Sequence, residues 1–222
     1  MASSAAPITN STRKRWASKR RCRPMKRPGI DLPALAAGLA AAPPRPSSDY
    51  DLNRDVVLPE GRKLRPAAVL IGVQAGQVVL TKRASHLTHH PGQIAFPGGK
   101  QDPSDADARA AALREAREEI GLDPGAARIE AHLPPHETVT GFRVTPVLAE
   151  IDPGFVARAD PAEVDEVFRV PLDFLMQPGN YAIERRRWRG QWRRYYVVPF
   201  GPYYIWGATA RILKALADVA AR

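Results

Sequence analysis

The stretch that most restricts how this chain can fold runs from Phe96 to Gly121: Phe96-Pro97-Gly98-Gly99, a short acidic loop, then a helix with two unlike faces. In Ala110-Ala111-Ala112-Leu113-Arg114-Glu115-Ala116-Arg117-Glu118-Glu119-Ile120, the apolar Leu113, Ala116 and Ile120 recur at helical spacing, and so do Glu115, Glu118 and Glu119. One face has to be buried while the other is crowded with carboxylates. Like charges one turn apart cost roughly a few tenths of a kcal/mol per pair. A divalent cation among them reverses that cost, and Mg²⁺ favours such hard oxygen ligands. Arg114 is placed to orient Glu115 through a charge-assisted hydrogen bond. The pattern predicts a helix from Asp105 to Ile120, with Ser104 as N-cap, Asp107 as its capping-box partner and Gly121 as the stop. The two preceding glycines let the backbone approach a metal or phosphate and aim a carbonyl at it.

Around this unit, Ala67–Val73 and Gln77–Lys82 read as strands of a hairpin turning at Gln74-Ala75-Gly76. Ile94-Ala95-Phe96 reads as a short strand ended by Pro97-Gly98-Gly99. Further strands are expected at Ala127–Leu133, Val144–Ile151, Val164–Val170, Tyr181–Trp188 and Trp192–Val198, with short helices at Leu32–Ala42 and Leu172–Met176 and a terminal one from Trp206 to Ala220. Strands and helices mix without regular alternation. The expected fold class is therefore α/β of the α+β type, a mixed sheet between helices rather than a doubly wound parallel one.

The net charge of +10 suggests a nucleic-acid partner, but its distribution argues otherwise. Residues 1–27 hold nine Lys or Arg and no acid, leaving 24 basic against 23 acidic residues in the rest. Basicity thus belongs to a tail: residues 1–30 are expected to be a disordered basic extension, 31–60 a short helix with a Pro-rich linker, and 61–222 the folded domain. Nucleic acid is an unlikely partner for that domain; the tail alone keeps an RNA- or ribosome-binding arm, or an organellar leader, as alternatives. The one cysteine, Cys22, excludes a disulfide framework and a Cys-based zinc site, and points to a reducing, cytoplasmic compartment. No apolar run is long enough for a membrane helix.

Arg114-Glu115-Ala116-Arg117-Glu118-Glu119-Ile120-Gly121-Leu122 resembles the second half of the Nudix box in full. The leading glycine of that box would be Gly99. Six residues on stands Asp105, an Asp in place of the usual Glu, in a loop one residue longer than the pattern. Upstream, Val79-Leu80-Thr81-Lys82-Arg83-Ala84, then Thr88, Gly92 and Phe96-Pro97-Gly98-Gly99, keep the spacing of the signature of the coenzyme A pyrophosphatase subgroup, with Ala84 for its Ser and Thr88 for its second Arg. His90-Pro91-Gly92-Gln93-Ile94-Ala95, Phe168-Arg169-Val170-Pro171-Leu172 and Ile205-Trp206-Gly207-Ala208-Thr209-Ala210 are similar to that subgroup too.

The resemblance implies an α/β/α sandwich that hydrolyses the diphosphate of coenzyme A or its acyl form, giving 3′,5′-ADP and 4′-phosphopantetheine. It implies Mg²⁺, with Mn²⁺ as the alternative, held by Glu115, Glu118, Glu119 and the Gly99 carbonyl. Arg114, Glu115, Glu118 and Glu119 would be catalytic, and Arg83, Gly92, Phe96 and Gly98 would bind substrate. Competing substrates are ADP-ribose and nucleoside triphosphates, and a competing class is a non-catalytic module binding nucleotide or RNA. The general base stays open between Glu115 and a later acid, Glu163, Asp165 or Glu166. The partner expected is the small-molecule substrate, and a homodimer is compatible with the sequence. His86, His89 and His90 read as a surface loop. The aromatic, Arg-flanked region from Arg185 to Trp206 reads as packed strands, with one or two rings available to stack on adenine.

Overall fold

The structure, a computed structural model, describes residues 30–59, 61–188 and 190–222. The expected basic extension falls on residues outside these, apart from Ile30. The described chain opens with α1 (Leu32–Ala41), which buries Leu32, Leu35 and Leu39, and β1 (Ser47–Ser48). Then come β2 (Arg65–Gln74) and β3 (Gln77–Arg83), joined at Ala75 and Gly76 with φ of 48° and 76°. Two successive positive φ values make the turn whose twist matches that of paired strands. β4 (Ile94–Ala95), β5 (Gly98–Lys100) and α2 (Ala108–Ile120) follow, then β6 (Ala127–His132), β7 (His136–Glu137) and β8 (Phe142–Ile151). The chain ends with β9 (Val164–Pro171), α3 (Leu172–Leu175), β10 (Ala182–Trp188), β11 (Gln191–Val197) and α4 (Ala208–Ala220).

Among the described residues one mixed sheet joins β1 to β9, while β10 and β11 form a separate hairpin. Its centre is the parallel pair β2 and β8, in register from Arg65 opposite Phe142 to Gln74 opposite Ile151. β3, β5, β6 and β9 attach antiparallel. Alternate residues of β2 serve two cores. Ala68 and Leu70 join Val147, Ala149 and Ile151 against Ala111, Ala112, Ala116 and Ile120 of α2. Ala67, Ile71 and Val73 face the other way, with Leu35 of α1 and Leu213 and Leu216 of α4. Strands buried on both faces read as continuous apolar runs, as Ala67–Val73 does. The architecture is the expected mixed sheet between helices.

Three local expectations are corrected. The helix begins at Ala108, and its cap is Asp107, whose Oδ1 accepts the N–H groups of Arg109 (2.8 Å) and Ala110 (2.9 Å). Ser104 is not the cap because residues 102–105 form their own turn, with Asp102 N–H donating to the Asp105 carboxylate (2.8 Å) and Asp105 N–H to the Asp102 carbonyl (3.0 Å). Pro97-Gly98-Gly99 does not simply end a strand: Gly98 and Gly99 open β5, paired with Val69 and Ala68. Gly98 has φ of 153°, and a Cβ there would meet the Ala68 carbonyl oxygen at 2.4 Å, so only glycine allows so close an approach. The stretch 31–60, read as helix and linker, carries β1, which pairs parallel with β7. Its Asn53 is buried and exchanges side-chain hydrogen bonds with the Arg194 backbone (2.9 and 2.8 Å).

Candidate active site

The buried face of α2 and the glycine strand β5 meet at Glu119. This carboxylate is 2% exposed. One oxygen accepts the Gly98 N–H at 3.2 Å and the other lies 3.7 Å from an Arg83 nitrogen. Burial pushes its pKa up to about 8, outweighing the Gly98 N–H and Arg83, with Glu115 and Glu163 adding repulsion. Glu115, one turn earlier, is also raised, first by burial and then by Glu118 and Glu163, against the pull of Arg114. Glu118 is exposed.

Arg114 gathers the rest. Its Nη1 donates to Glu115 and to Glu118, each at 3.0 Å. Its Nε and Nη2 donate to the two oxygens of Asp105, both at 3.1 Å, and Nη2 also reaches the Lys100 carbonyl at 3.0 Å. This planar fork on a carboxylate is the geometry guanidinium suits best. It holds the Asp105 carboxyl below its ordinary range. Asp105, six residues after Gly99, is thus gripped by Arg114 at the end of the 102–105 turn.

Gly99 stands directly against Glu115: a Cβ at residue 99 would lie 2.5 to 2.6 Å from the Glu115 carboxylate. Gly92 has φ of 67° and donates its N–H to the Arg83 carbonyl (3.1 Å), while the Arg83 N–H donates to the Gln93 carbonyl (3.0 Å). This small ring of bonds holds the end of β3, from which Arg83 reaches Glu119. Phe96, expected to bind substrate, is instead 3% exposed within the core that α1 and α4 line. Its ring offers a ligand no surface; it anchors the start of β5. His86, His89 and His90 are exposed in the loop after β3, as expected.

The later acids separate. Asp165 accepts hydrogen bonds from the Ser85 N–H and hydroxyl (3.0 and 2.5 Å), and Glu166 from the Tyr203 hydroxyl (2.5 Å). Glu163 alone of the three repels both Glu115 and Glu119. Sequence spacing could not single it out, because its nearness depends on how β9 lies beside β3. Sequence reading also missed a cavity of about 510 Å³ whose walls include Asp49, Asn53, Gly92, Gln93, Arg186 and Trp206; its parts lie far apart in the chain.

The donor set suits a hard divalent cation chemically: three glutamates stand on one helix, and burial disfavours two of them as anions. Among the described residues no three acidic, His or Cys side chains are already drawn together tightly enough to hold an ion. Arg114 holds Glu115 and Glu118 through the same nitrogen.

A mixed sheet between helices, with a glutamate helix on a Gly-Gly strand, is the Nudix arrangement, and residues 63–189 match the NUDIX domain family. The chain belongs to the Nudix hydrolases, enzymes that act on pyrophosphate bonds. Over 174 residues it is 44% identical to a protein named uncharacterized Nudix hydrolase NudL from Salmonella heidelberg (strain SL476), a match spanning 77% of this chain and 90% of the relative. NudL of Salmonella agona (strain SL483) matches to the same extent, 44% over 174 residues. Among solved structures, a C. elegans Ap4A hydrolase binary complex aligns with a TM-score of 0.42 at 22% identity, covering 48% of this chain and 80% of that one. A MutT/nudix family protein from Enterococcus faecalis gives 0.43 at 18%, covering 76% and 67%. No helix among the described residues is long and apolar enough to cross a membrane.

Proposed function

We propose that this chain is a coenzyme A pyrophosphatase, splitting the diphosphate of coenzyme A or an acyl derivative into 3′,5′-ADP and 4′-phosphopantetheine or its acyl form. The observation that carries the reading is the meeting of two separate motifs. Arg83, from the upstream signature, stands 3.7 Å from Glu119 of the box, so a diphosphate seated by one lies beside the other. Glu115, Glu118 and Glu119, with the Gly99 carbonyl, would hold Mg²⁺ or Mn²⁺. When bound, the metal supplies charge neutralisation for the diphosphate and a water more acidic than bulk.

The remaining chemistry falls to the chain's own groups. Arg83 offers two parallel N–H donors to a phosphate. Arg114 fixes Glu115 and Glu118 while leaning on Asp105. In the reaction a water oxygen bonds to one phosphorus as the bridging P–O bond breaks, and the proton that water sheds passes to a base. Glu163 is the acid best placed to take it, since Asp165 and Glu166 are engaged elsewhere. The proposed partner is the small-molecule substrate, in the cytoplasm.

The test is a substrate panel with Mg²⁺: coenzyme A, ADP-ribose and nucleoside triphosphates, on wild type and Glu119→Gln. Coenzyme A should be cleaved fastest, and the variant should lose nearly all turnover. Preference for ADP-ribose or a triphosphate would remove the coenzyme A assignment.

A further inference from the structure

β10 and β11 form a two-stranded ribbon apart from the main sheet, and its two sides differ. Side chains alternate between the faces of a strand. The register therefore puts Glu184, Arg186, Arg193 and Tyr195 on one side, and Ile183, Arg185, Arg187, Trp192, Arg194 and Tyr196 on the other. The first side is turned to the body. Arg186 lies over Trp206 (5.3 Å), Tyr195 meets the same ring edge-on (5.3 Å), and Arg193 lies over Tyr50 (5.6 Å). There the reading of packed strands holds. On the second side only the base is covered, where Arg211 of α4 lies over Tyr196 (5.6 Å). Farther out Arg185, Arg187 and Arg194 are exposed, and Trp192 keeps 61% of its surface in solvent, with Arg185 over its ring at 5.0 Å.

The near balance of charge beyond residue 27 conceals a separation. Of those 24 basic and 23 acidic residues, the ribbon from Ala182 to Val197 holds six arginines and one acid, which leaves 18 basic against 22 acidic elsewhere. The one acid, Glu184, lies on the packed side and accepts the Tyr204 hydroxyl (2.5 Å). Arg185 stands opposite Arg194, and Arg186 opposite Arg193. Like charges facing each other across a strand pair are destabilising. None of Arg185, Arg187 and Arg194 takes part in an ion pair among the described residues. A bound polyanion relieves that repulsion. The ribbon is also held in place, since Asn53 bonds both the N–H and the carbonyl of Arg194 (2.8 and 2.9 Å).

We propose that this outer side binds single-stranded RNA: Arg185, Arg187 and Arg194 contact its phosphates, and Trp192 stacks on an unpaired base. Guanidinium suits phosphate, and an exposed indole among such cations is a stacking platform for a base whose face is free. A duplex hides those faces, whereas unpaired bases are ordinary in RNA loops and ends. A lipid surface fits less well. The exposed apolar groups of this side, Ile183 and Trp192, are separated by the rung of Arg185 and Arg194, so no continuous apolar patch is there to enter a bilayer. The surface faces away from Trp206, and the proposal does not depend on which diphosphate the enzyme cuts.

Fluorescence anisotropy of the full chain with labelled oligouridine of about 12 nucleotides tests it. Residues 1–27 also hold nine Lys or Arg, so the ribbon is read through variants that keep them. Arg185→Gln with Arg187→Gln should lower the slope of log affinity against log salt by roughly 1.4, the share of two phosphate contacts on a single strand. Trp192→Leu should weaken binding about tenfold at unchanged slope, and Trp192→Phe should restore most of it. Thermal unfolding checks that each variant is folded. If the variants bind oligouridine as wild type does, the basic extension alone holds the strand and the proposal falls. It falls too if an RNA duplex or oligothymidine is bound more tightly than oligouridine. Vesicles of equimolar phosphatidylcholine and phosphatidylserine give the last arm: if their binding, and not that of oligouridine, responds to these substitutions, the surface is a membrane contact and the proposal is overturned.

Discussion

Arg114 and Asp105 are joined by a two-point contact, Nε to one carboxylate oxygen and Nη2 to the other, both at 3.1 Å. The same guanidinium then turns its remaining nitrogen to Glu115 and Glu118. Asp105 is thus the back-stop that sets the direction of Arg114, and Arg114 sets two carboxylates of the acidic face. Asp105→Ala should lower kcat by about tenfold, in line with loss of a supporting contact behind a ligand, with a smaller change in KM. Asp105→Glu should recover part of the loss. Steady-state kinetics at saturating Mg²⁺ decide the matter, and unchanged kcat in the Ala variant would show that Arg114 needs no such support.

Glu119 gives a pH signature. Its folded pKa, raised to about 8 by burial, lies above its unfolded value. Its stabilising contribution is therefore full below the unfolded pKa, near 4.5, and is lost as pH rises through about 8. Metal-free wild type should lose thermal stability across that window, and Glu119→Gln should lose less. Ion binding requires the carboxylate, so at pH 7 uptake of Mg²⁺ should release close to one proton per site. Titrations in buffers of different ionisation enthalpy measure that number directly.

Gly99→Ala puts a methyl within 2.6 Å of the Glu115 carboxylate. The φ of Gly99 is not in the left-handed region, so the damage comes from displacing Glu115. Stability should fall by roughly 1–3 kcal/mol, as for other overpacked sites, while activity should be almost abolished. Urea unfolding paired with kinetics separates the two effects.

Glu163→Gln tests the assignment of the base. Turnover should drop on the order of 100-fold, the usual share of a positioned general base. KM and calorimetric Mg²⁺ affinity should hold. A variant with wild-type kcat would return the role to Glu115.

Asp107→Ala removes the acceptor of two N–H groups at the start of α2. A lost N-cap costs about 1 kcal/mol, which denaturant unfolding resolves, and turnover should hardly change, since the glutamates lie two turns further along.

Much of this was legible along the chain because it is local. The turn at Ala75 and Gly76, the stop at Gly121 and the spacing of Glu115, Glu118 and Glu119 depend on neighbours within a few residues. Ser104 and Asp107 compete as caps within the same stretch, and a turn at residues 102–105 decided between them. Phe96 shows the limit: next to two glycines it looks like a contact to ligand, yet the side of the strand it occupies faces the core. The cavity could not be read at all, because Asn53 meets Arg194 from 141 positions away along the chain. Nothing in either segment announces the other.

The packing of α1 and the pairing of β1 with β7 have a practical side. The family match starts at residue 63, a tempting place to begin a trimmed version for expression. Such a version would strip Leu32, Leu35 and Leu39 from the surface they cover, leaving an oily scar over the terminal helix. It would also remove Asn53 and with it part of the wall of the cavity that Arg186 and Trp206 line. A shortened protein that precipitates would be showing what the packing of α1 does.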